Sequence, residues 1–532
     1  MRLEDLPENW DLIIIGGGIT GAGILSLASR MGLRVLLLER NDFAWGTSSR
    51  SSKLIHGGFR YLREGKMSLT WASVKERERL LKEAPGLVEP LGFLLPVYRD
   101  RGLGRWPLET GFTLYDLIAR KRDHRFYDPE AFSMRSPHVN RDMLVGGFKF
   151  SDAQVDDARL VLRLIKEAHL SGSRVQALNY VTVNQITRDA SGNVSGIDAT
   201  DTETSVQRAL SCRVVINATG SWVEALHPSP DPGFHIRPLR GSHLLFPLWK
   251  LPTILALSFF HPSDGRPIAA IPWEGGLLVG TTDIDYKEDL LVEPAITSKE
   301  VSYLLEGLKH EFPALDISAK DCLSSFSGIR PILSQRGKAP SKESREHVIW
   351  VSRGLVTVTG GKLTTFRRVA LHALKAAGPF LPSGTPEPWK GPLFSPVPHA
   401  AGENCNLSPH AWRRLCGRYG DAANELVSKA APEDLKTIPG TKTLWAELPF
   451  AGRYEQVHHL SDLMLRRVRI GLLSPSGATG HLDRIQELCA PVMSWDSARW
   501  KMEREAYHEH WKSKYAPLPI PSDLTRKTGS LR

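Results

Sequence analysis

The chain has 532 residues and is 41% hydrophobic, which predicts two to four folded domains and excludes a disordered chain. Its formal net charge of +10 favours an anionic partner, whether nucleic acid, an anionic membrane surface or a phosphorylated substrate. The 5 cysteines form no Cys-x-x-Cys pair, which excludes a disulfide framework and a cysteine metal site and fits a reducing cytosol.

The N-terminal segment carries no signal-peptide pattern, because residues 1–10 are polar and acidic. The uncharged stretch at residues 12–29 is long enough for a marginal membrane span. Glycines at regular positions in this stretch favour a soluble turn instead. We therefore expect no transmembrane helix here.

A nucleotide-binding unit is predicted next. The apolar, β-branched run Asp11–Ile15 is typical of a central parallel strand. It leads into Gly16-x-Gly18-x-x-Gly21, in which each glycine has a mechanical role. The first permits a tight turn, the second lets a pyrophosphate approach the backbone, and the third lets a helix pack on the sheet.

The rest of this unit follows in register. A helix over residues 20–31 points its positive end at the phosphates, and Gly32 suits its C-terminal cap. A second strand, residues 34–39, ends at Glu39, which is placed to accept a hydrogen bond from a ribose hydroxyl. The acidic residue favours FAD or NAD over NADP.

Downstream elements extend the nucleotide-binding domain. An amphipathic helix is predicted over residues 156–170, and a strand from Val175 begins an antiparallel meander with a hairpin turn at Asp189–Asn193. A further strand ends at Asn217–Gly220. This arrangement resembles the FAD domain of the glutathione-reductase-like flavoproteins, and the resemblance points to FAD as the cofactor.

Several motifs in order carry a closer resemblance. The motifs are Thr47–Leu62, Phe150–Val161, Arg240–His243, Ile271–Trp273 with Gly280–Asp283, Phe326–Pro331 and Gly360–Arg367. In this order they resemble the FAD-dependent (aerobic) glycerol-3-phosphate dehydrogenases over about residues 10 to 380, and the resemblance extends more weakly to residues 460–472.

The resemblance implies a function. The family oxidises sn-glycerol 3-phosphate to dihydroxyacetone phosphate by hydride transfer to FAD, and passes the electrons to membrane quinone. It also implies a cytoplasmic protein held peripherally on the inner face of the plasma membrane, and leaves a homodimer open. A related flavin oxidase that uses oxygen, or takes an amine or 2-hydroxy acid, is the alternative. A basic flavoprotein without turnover is a third hypothesis; no nucleic-acid module is visible, and no nucleic-acid partner is expected.

The resemblance also implies substrate and catalytic residues. Arginine forks suit a dianionic phosphate, and the matching positions are Arg60, Tyr61, Arg330, Arg345 and Lys362. The substrate hydroxyl needs a base, for which the candidates are His56 and His243, with Arg330 beside them. His243 could instead be a buried core histidine, His56 could orient or link to the flavin, and Arg330 could brace a turn.

We expect the cofactor to contact the glycine motif, the serine-rich loop and the turn before a helix at Gly360–Gly361, whose backbone faces the flavin. The alternative for the serine-rich loop is that it is simply solvated. No metal site is expected. The predicted residues are Gly16, Gly18, Gly21, Glu39, Thr47, Ser48, Ser49, Ser52, Lys53, Leu54, Val181, Gly220, Gly361, Leu363 and Thr364.

The fold class predicted is α/β: a glutathione-reductase-like FAD-binding domain with an inserted antiparallel-sheet substrate domain and a C-terminal helical domain. The FAD-binding domain takes residues 10–80, 150–235 and 325–380, and the substrate-capping domain takes 81–149 and 236–324. A linker (381–398), rich in Pro, Gly and Ser, precedes helices from 399 to 520. Ser408 and Asp496 are the expected helix caps.

Two segments suit a membrane interface or an internal core equally. Residues 101–122 place apolar side chains near one helical face and end in a basic run, and residues 464–472 pose the same choice. The apolar residues of the first segment are Trp106, Leu108, Phe112, Tyr115 and Ile118.

Overall fold

A computed structural model describes residues 2–58, 67–172, 174–226, 235–333, 346–396 and 407–518. Its strands are β1 (Asn9–Ile15), β2 (Val35–Leu38), β3 (Leu54–Ile55), β4 (Val88–Tyr98), β5 (Arg125–Tyr127), β6 (Leu144–Val155), β7 (Val175–Leu178), β8 (Val181–Arg188), β9 (Val194–Asp201), β10 (Gln207–Asn217), β11 (Ile236–Pro247), β12 (Ala256–Phe260), β13 (Pro267–Trp273), β14 (Gly276–Gly280), β15 (Ile284–Asp285), β16 (Ser324–Leu333), β17 (Val348–Ser352) and β18 (Leu355–Thr359).

The longer helices are α1 (Ile19–Ala28), α2 (Met67–Glu83), α3 (Arg105–Ala119), α4 (Pro129–Arg135), α5 (Asp157–Ser171), α6 (Ser298–Glu311), α7 (Phe366–Ala377), α8 (Pro409–Tyr419), α9 (Ala422–Lys429), α10 (Glu447–Tyr454), α11 (Leu482–Met493) and α12 (Ser497–Lys514).

The first sheet is the predicted nucleotide-binding sheet. Its strand order is β17-β18-β10-β1-β2-β7, and the β8–β9 hairpin joins at β10. β1 pairs in parallel with both β10 and β2 over Leu12–Ile15, which explains its continuous apolar run. Helices α1, α5 and α7 cover one face, where they form a single core with the strands. The predicted βαβ unit and the hairpin are both confirmed.

The second sheet covers the first domain as an insertion. Its order is β15-β11-β14-β13-β12-β4-β6-β3, with β16 on β11 and β5 on β6. Most pairs of adjacent strands in this sheet run antiparallel, as predicted for the capping sheet. β16 belongs here because it pairs with β11 from Ile236 to Leu245, although its sequence position was assigned to the nucleotide-binding domain. β3 joins the same sheet through β6.

The C-terminal part is helical, as predicted, from α8 to α12. Ser408 and Asp496 cap α8 and α12 through their side chains, which confirms both predicted starts. The turn Leu463–Arg467 and the residues after it pack into the core beneath the second sheet. Residues 464–472 are therefore buried, and the membrane interpretation of this segment is wrong.

A short 3₁₀ helix, Gly378–Phe380, follows α7, and the segment after it has no helix or strand through residue 396. It nevertheless lies against the first domain, since Leu393 and Phe394 are buried in the core of the first sheet. Helix α3 buries Leu108, Phe112 and Tyr115 against the second sheet. Its opposite face is exposed.

Across the described ranges, no helix is both long and apolar enough to span a membrane.

Candidate active site

The turn between β1 and α1 leaves space only for glycine. Gly16 has a φ of +110°, and a Cβ there would lie 2.7 Å from the carbonyl oxygen of Ala218. A Cβ on Gly21 would lie 1.9 Å from the carbonyl oxygen of Gly16. Because these glycines hold the turn tight against α1, the amino end of the helix opens toward the cavity beside it.

Glu39 follows β2 and closes the other side of this turn. Its carboxylate accepts hydrogen bonds from the backbone N–H groups of Gly17 at 2.7 Å and of Asn41 at 2.9 Å. Burial raises the pKa of Glu39 above its usual value. The side chain thus shapes the glycine turn as well as facing the position expected for a ribose.

The serine-rich loop after residue 46 crosses from the first domain to the second sheet. Ser48 Oγ accepts from the backbone N–H of Ile19 at 2.9 Å, and the Thr47 hydroxyl donates to the carbonyl of Ile329 on β16. Further along the loop, the Ser51 hydroxyl donates to Asp157 Oδ2 at 2.7 Å. The loop is therefore hydrogen-bonded to the protein at several positions, and the alternative of a solvated serine-rich loop does not hold.

A cavity of about 750 Å³ runs between the two sheets. The predicted residues that border it are Gly16, Gly18, Glu39, Thr47, Ser48, Ser52, Leu54, His56, Val181, Gly220, Arg330, Gly361, Lys362, Leu363 and Thr364. The predicted residues that do not border it are Gly21, Ser49, Lys53 and His243. Arg60, Tyr61 and Arg345 lie outside the described residues.

Lys53 is a predicted cofactor residue that does not border the cavity. Its side chain is fully buried, and Nζ lies 2.9 Å from both carboxylate oxygens of Asp157. Burial lowers the pKa of Lys53 to about 7, although Asp157 acts to raise it. Lys53 therefore joins the serine-rich loop to the start of α5.

The two candidate histidines occupy different environments. His243 on β11 is buried, stacks on Phe326 and lies with Nε2 2.9 Å from Ser52 Oγ. Burial, together with the positive charges of Arg330 and Lys53, holds the pKa of His243 well below its usual value. Its ring is neutral at pH 7, and it lies behind Ser52.

His56 borders the cavity directly. Its backbone N–H donates to Thr364 Oγ1 at 3.2 Å, which joins it to the turn before α7. Lys362 in the same turn donates from Nζ to Ser73 Oγ on α2 at 2.7 Å. Gly360 and Gly361 have φ values of +79° and +78°, so this turn also depends on glycine.

Arg330 reaches the cavity from β16 and is held by side chains that sequence analysis did not single out. It pairs with Asp283 at 2.9 Å, and Asp283 pairs with Arg266 at 2.6 Å. Arg266, Thr281 and Asp283 all border the cavity. Asp283 stood in one of the quoted motifs, whereas nothing in the local sequence marked Arg266.

The residues present fit a dinucleotide cofactor. The cavity continues from the glycine turn at Gly16 past Val181 to the turn at Leu363 and Thr364. Within the described ranges, no group of three His, Cys, Asp or Glu side chains could hold a metal ion.

Comparison with known proteins assigns the chain to a family. A family model described as FAD dependent oxidoreductase matches residues 11–367, and one described as the C-terminal domain of alpha-glycerophosphate oxidase matches residues 394–500. The aerobic glycerol-3-phosphate dehydrogenase of Staphylococcus aureus (strain MRSA252) is 30% identical over 528 residues, which span 94% of this chain and 93% of that protein. The enzyme of the same name from Staphylococcus haemolyticus (strain JCSC1435) is 32% identical over 86% of each chain.

Solved structures agree. The X-ray structure of the glycerol-3-phosphate dehydrogenase from Bacillus halodurans complexed with FAD has a TM-score of 0.74 at 27% identity, covering 96% of this chain and 95% of that one. The L-alpha-glycerophosphate oxidase from Mycoplasma pneumoniae with FAD bound shares the fold, with a TM-score of 0.58 at 20% identity over 74% of this chain and 100% of that one. The chain therefore belongs to the FAD-dependent oxidoreductases, and within them to the aerobic glycerol-3-phosphate dehydrogenase family, with FAD as its cofactor.

Proposed function

We propose that this protein oxidises sn-glycerol 3-phosphate to dihydroxyacetone phosphate. The observation that carries the proposal is the set of cations at one cavity, Arg330, Arg266 and Lys362, which His56 also borders. A small phosphate dianion needs fixed cations, and an alcohol that loses hydride needs a base. The names of the relatives support the same substrate.

Each of these side chains has a defined task in the proposed reaction. Arg330 and Lys362 bind the phosphate, and their fixed partners Asp283 and Ser73 restrict their rotamers, which positions the substrate. His56 accepts the proton of the hydroxyl that is oxidised. Bound FAD supplies the hydride acceptor. The backbone at Leu363 and Thr364 lies at the amino end of α7, where its dipole favours negative charge on the bound ligand.

We also propose membrane quinone as the final electron acceptor, in a cytoplasmic protein bound to the inner face of the plasma membrane. Helices α2 and α3 pack against each other and expose large apolar side chains. These are Met67, Trp71, Trp106, Leu114 and Leu117, which we call the α2–α3 surface. The basic residues Arg120, Lys121 and Arg122 follow α3, as suits an anionic lipid surface.

Oxygen is the competing acceptor, because a fold relative is a glycerophosphate oxidase. Anaerobic titration of the holoenzyme with sn-glycerol 3-phosphate should bleach the oxidised flavin band. Stopped-flow mixing of the reduced enzyme with a short-chain quinone or with oxygen then measures reoxidation by each. We expect faster reoxidation by quinone. A yellow enzyme that the substrate does not bleach would refute the proposed substrate, and faster reoxidation by oxygen would refute the proposed acceptor.

A further inference from the structure

Asp283 lies between two arginines at one end of the cavity. Its Oδ1 is 2.9 Å from Arg330 Nη1, and its Oδ2 is 2.6 Å from Arg266 Nη2. Arg266 Nη1 also donates to the backbone carbonyl of Asp283 at 3.0 Å. Both oxygens of one carboxylate thus hold a guanidinium group, and the carboxylate side chain is only 4% exposed.

Two further residues, Thr281 and Gly241, restrict Arg330. Its Nη2 donates to Thr281 Oγ1 at 2.8 Å, and its guanidinium packs over Gly241 on β11. A Cβ at Gly241 would lie 2.2 Å from Arg330 Nη2. The observed position of the Arg330 guanidinium therefore depends on both the Asp283 carboxylate and Gly241. Arg266 reaches the same carboxylate from the loop before β13.

The charges of this group explain why a carboxylate can border an anion site. Alone, Asp283 would repel a phosphate, and the two arginines would repel each other. Together they carry a net positive charge in a fixed geometry, which suits a doubly charged oxyanion. Arg266 and Arg330 are 29% and 21% exposed at their side chains, and both border the cavity.

We propose that Arg266 is a further phosphate-binding cation, beside Arg330 and in addition to Lys362, and that Asp283 is the positioning residue that holds the two guanidinium groups in place. The inference rests on the proposed function, because it concerns the phosphate group of the same substrate. It adds Arg266 and Asp283 to the residues that decide specificity for a phosphorylated alcohol over an uncharged one.

The experiment uses the FAD-loaded enzyme and inorganic phosphate as the probe, with binding measured by titration calorimetry. Asp283→Asn and Arg266→Gln should each raise the Kd for phosphate about tenfold, the equivalent of about 1.4 kcal/mol. Arg266→Lys, which keeps the charge, should recover part of the loss. Steady-state kinetics with sn-glycerol 3-phosphate should show KM rising more than kcat falls in Asp283→Asn.

The matched control is Asp285→Asn. Asp285 lies two positions further on, in β15, and pairs with Arg237 at 2.5 and 2.8 Å, but it does not border the cavity. This variant should bind phosphate as the wild type does. Wild-type Kd values in Asp283→Asn and Arg266→Gln would overturn the inference, as would a wild-type enzyme that binds no phosphate.

The failure of this inference differs from the failure of the proposed function. If phosphate binding depends on Arg266 but sn-glycerol 3-phosphate does not bleach the flavin, the proposed substrate is refuted and the phosphate site stands. Normal bleaching with unchanged phosphate binding in both variants would refute the site and keep the substrate. If Asp283→Asn lowered both kcat and the melting temperature and left KM unchanged, Asp283 would have a structural role, and the positioning role would be overturned.

Discussion

At the scale of single residues, the two candidate histidines separate by position. His56 borders the cavity, whereas His243 lies behind Ser52 on β11. A general base works best when its pKa is near the working pH, and burial with nearby Arg330 and Lys53 depresses the pKa of His243. Position and charge both favour His56 as the base and favour the buried-histidine interpretation of His243.

The replacement His56→Gln should slow flavin reduction by about 10²- to 10⁴-fold, the usual contribution of a general base, while FAD stays bound. His243→Gln should cause a far smaller loss, because a glutamine amide can keep the hydrogen bond to Ser52. Rapid-mixing measurement of flavin bleaching under anaerobic conditions compares the two variants directly.

The flavin absorption spectrum of each purified variant is the control for cofactor binding. The assignment would be wrong if His243→Gln abolished bleaching and His56→Gln left its rate unchanged.

At the scale of elements, a wide helical turn in the C-terminal domain holds the loop after β2. The turn Leu463–Arg467 is of the π type, which is frequent at functional sites. Arg466 and Arg467 both contact the buried carboxylate of Asp42, at 2.5 and 2.6 Å. Asp42 lies three residues after Glu39, so the C-terminal domain braces the nucleotide-binding loop.

Charge supports this interpretation. Burial alone would raise the pKa of Asp42, but Arg467 and Arg466 outweigh it and hold the pKa well below its usual value. The Oδ1 atom also accepts from Asn179 Nδ2 at 2.9 Å. The carboxylate is therefore ionised and fully paired, which makes its removal costly because two buried guanidinium groups lose their counter-charge.

Asp42→Asn should lower the free energy of unfolding by about 3–5 kcal/mol, the usual cost of breaking a buried ion pair. It should also weaken FAD retention, because the loop that carries Glu39 loses its brace. Thermal unfolding followed by the rise of flavin fluorescence measures both effects.

The comparison variant is Asp434→Asn, which removes a salt bridge with Arg484 whose arginine side chain is 36% exposed. Its effect on stability should be far smaller than that of Asp42→Asn, as is usual for surface ion pairs. Equal melting temperatures in Asp42→Asn and Asp434→Asn would contradict the bracing role.

At the scale of the whole molecule, the α2–α3 surface and the active site share elements. Helix α2 exposes Trp71 on one side and presents Ser73 to Lys362 on the other. Helix α3 exposes Trp106, 72% accessible, and buries Tyr115, which donates to Asp152 at 2.8 Å. The same two helices thus face both the solvent and the cavity wall.

The variant Trp106→Glu combined with Leu117→Glu should reduce binding to vesicles that contain anionic lipid, because it removes apolar area and adds negative charge at the proposed contact. Flotation of the holoenzyme with vesicles of mixed anionic and zwitterionic lipid measures the bound fraction. Bleaching by sn-glycerol 3-phosphate in solution should be unchanged.

Trp249→Glu is the matched control, since Trp249 is 71% exposed on a different element, the turn after β11. This variant should float as the wild type does. Docking through the α2–α3 surface would be contradicted if the double variant and Trp249→Glu reduced the bound fraction equally, or if neither reduced it.

The sequence by itself determined the elements that depend on neighbouring residues. The glycine turn at Gly16, the strand β2 that ends just before Glu39 and the caps of α8 and α12 all follow from short patterns, and the structure has each of them. Local sterics and capping act over a few residues, so a short pattern contains the whole physical cause.

The tertiary structure decided which of these residues meet. Asp42 and Arg467 are 425 positions apart, and the Arg266–Asp283–Arg330 group joins the loop before β13, the loop after β14 and strand β16. Lys53 stood in a motif beside residues that border the cavity, yet its side chain turns away to Asp157. Such contacts depend on sheet order and on how whole domains pack, and these long-range relations have no counterpart in a local sequence pattern.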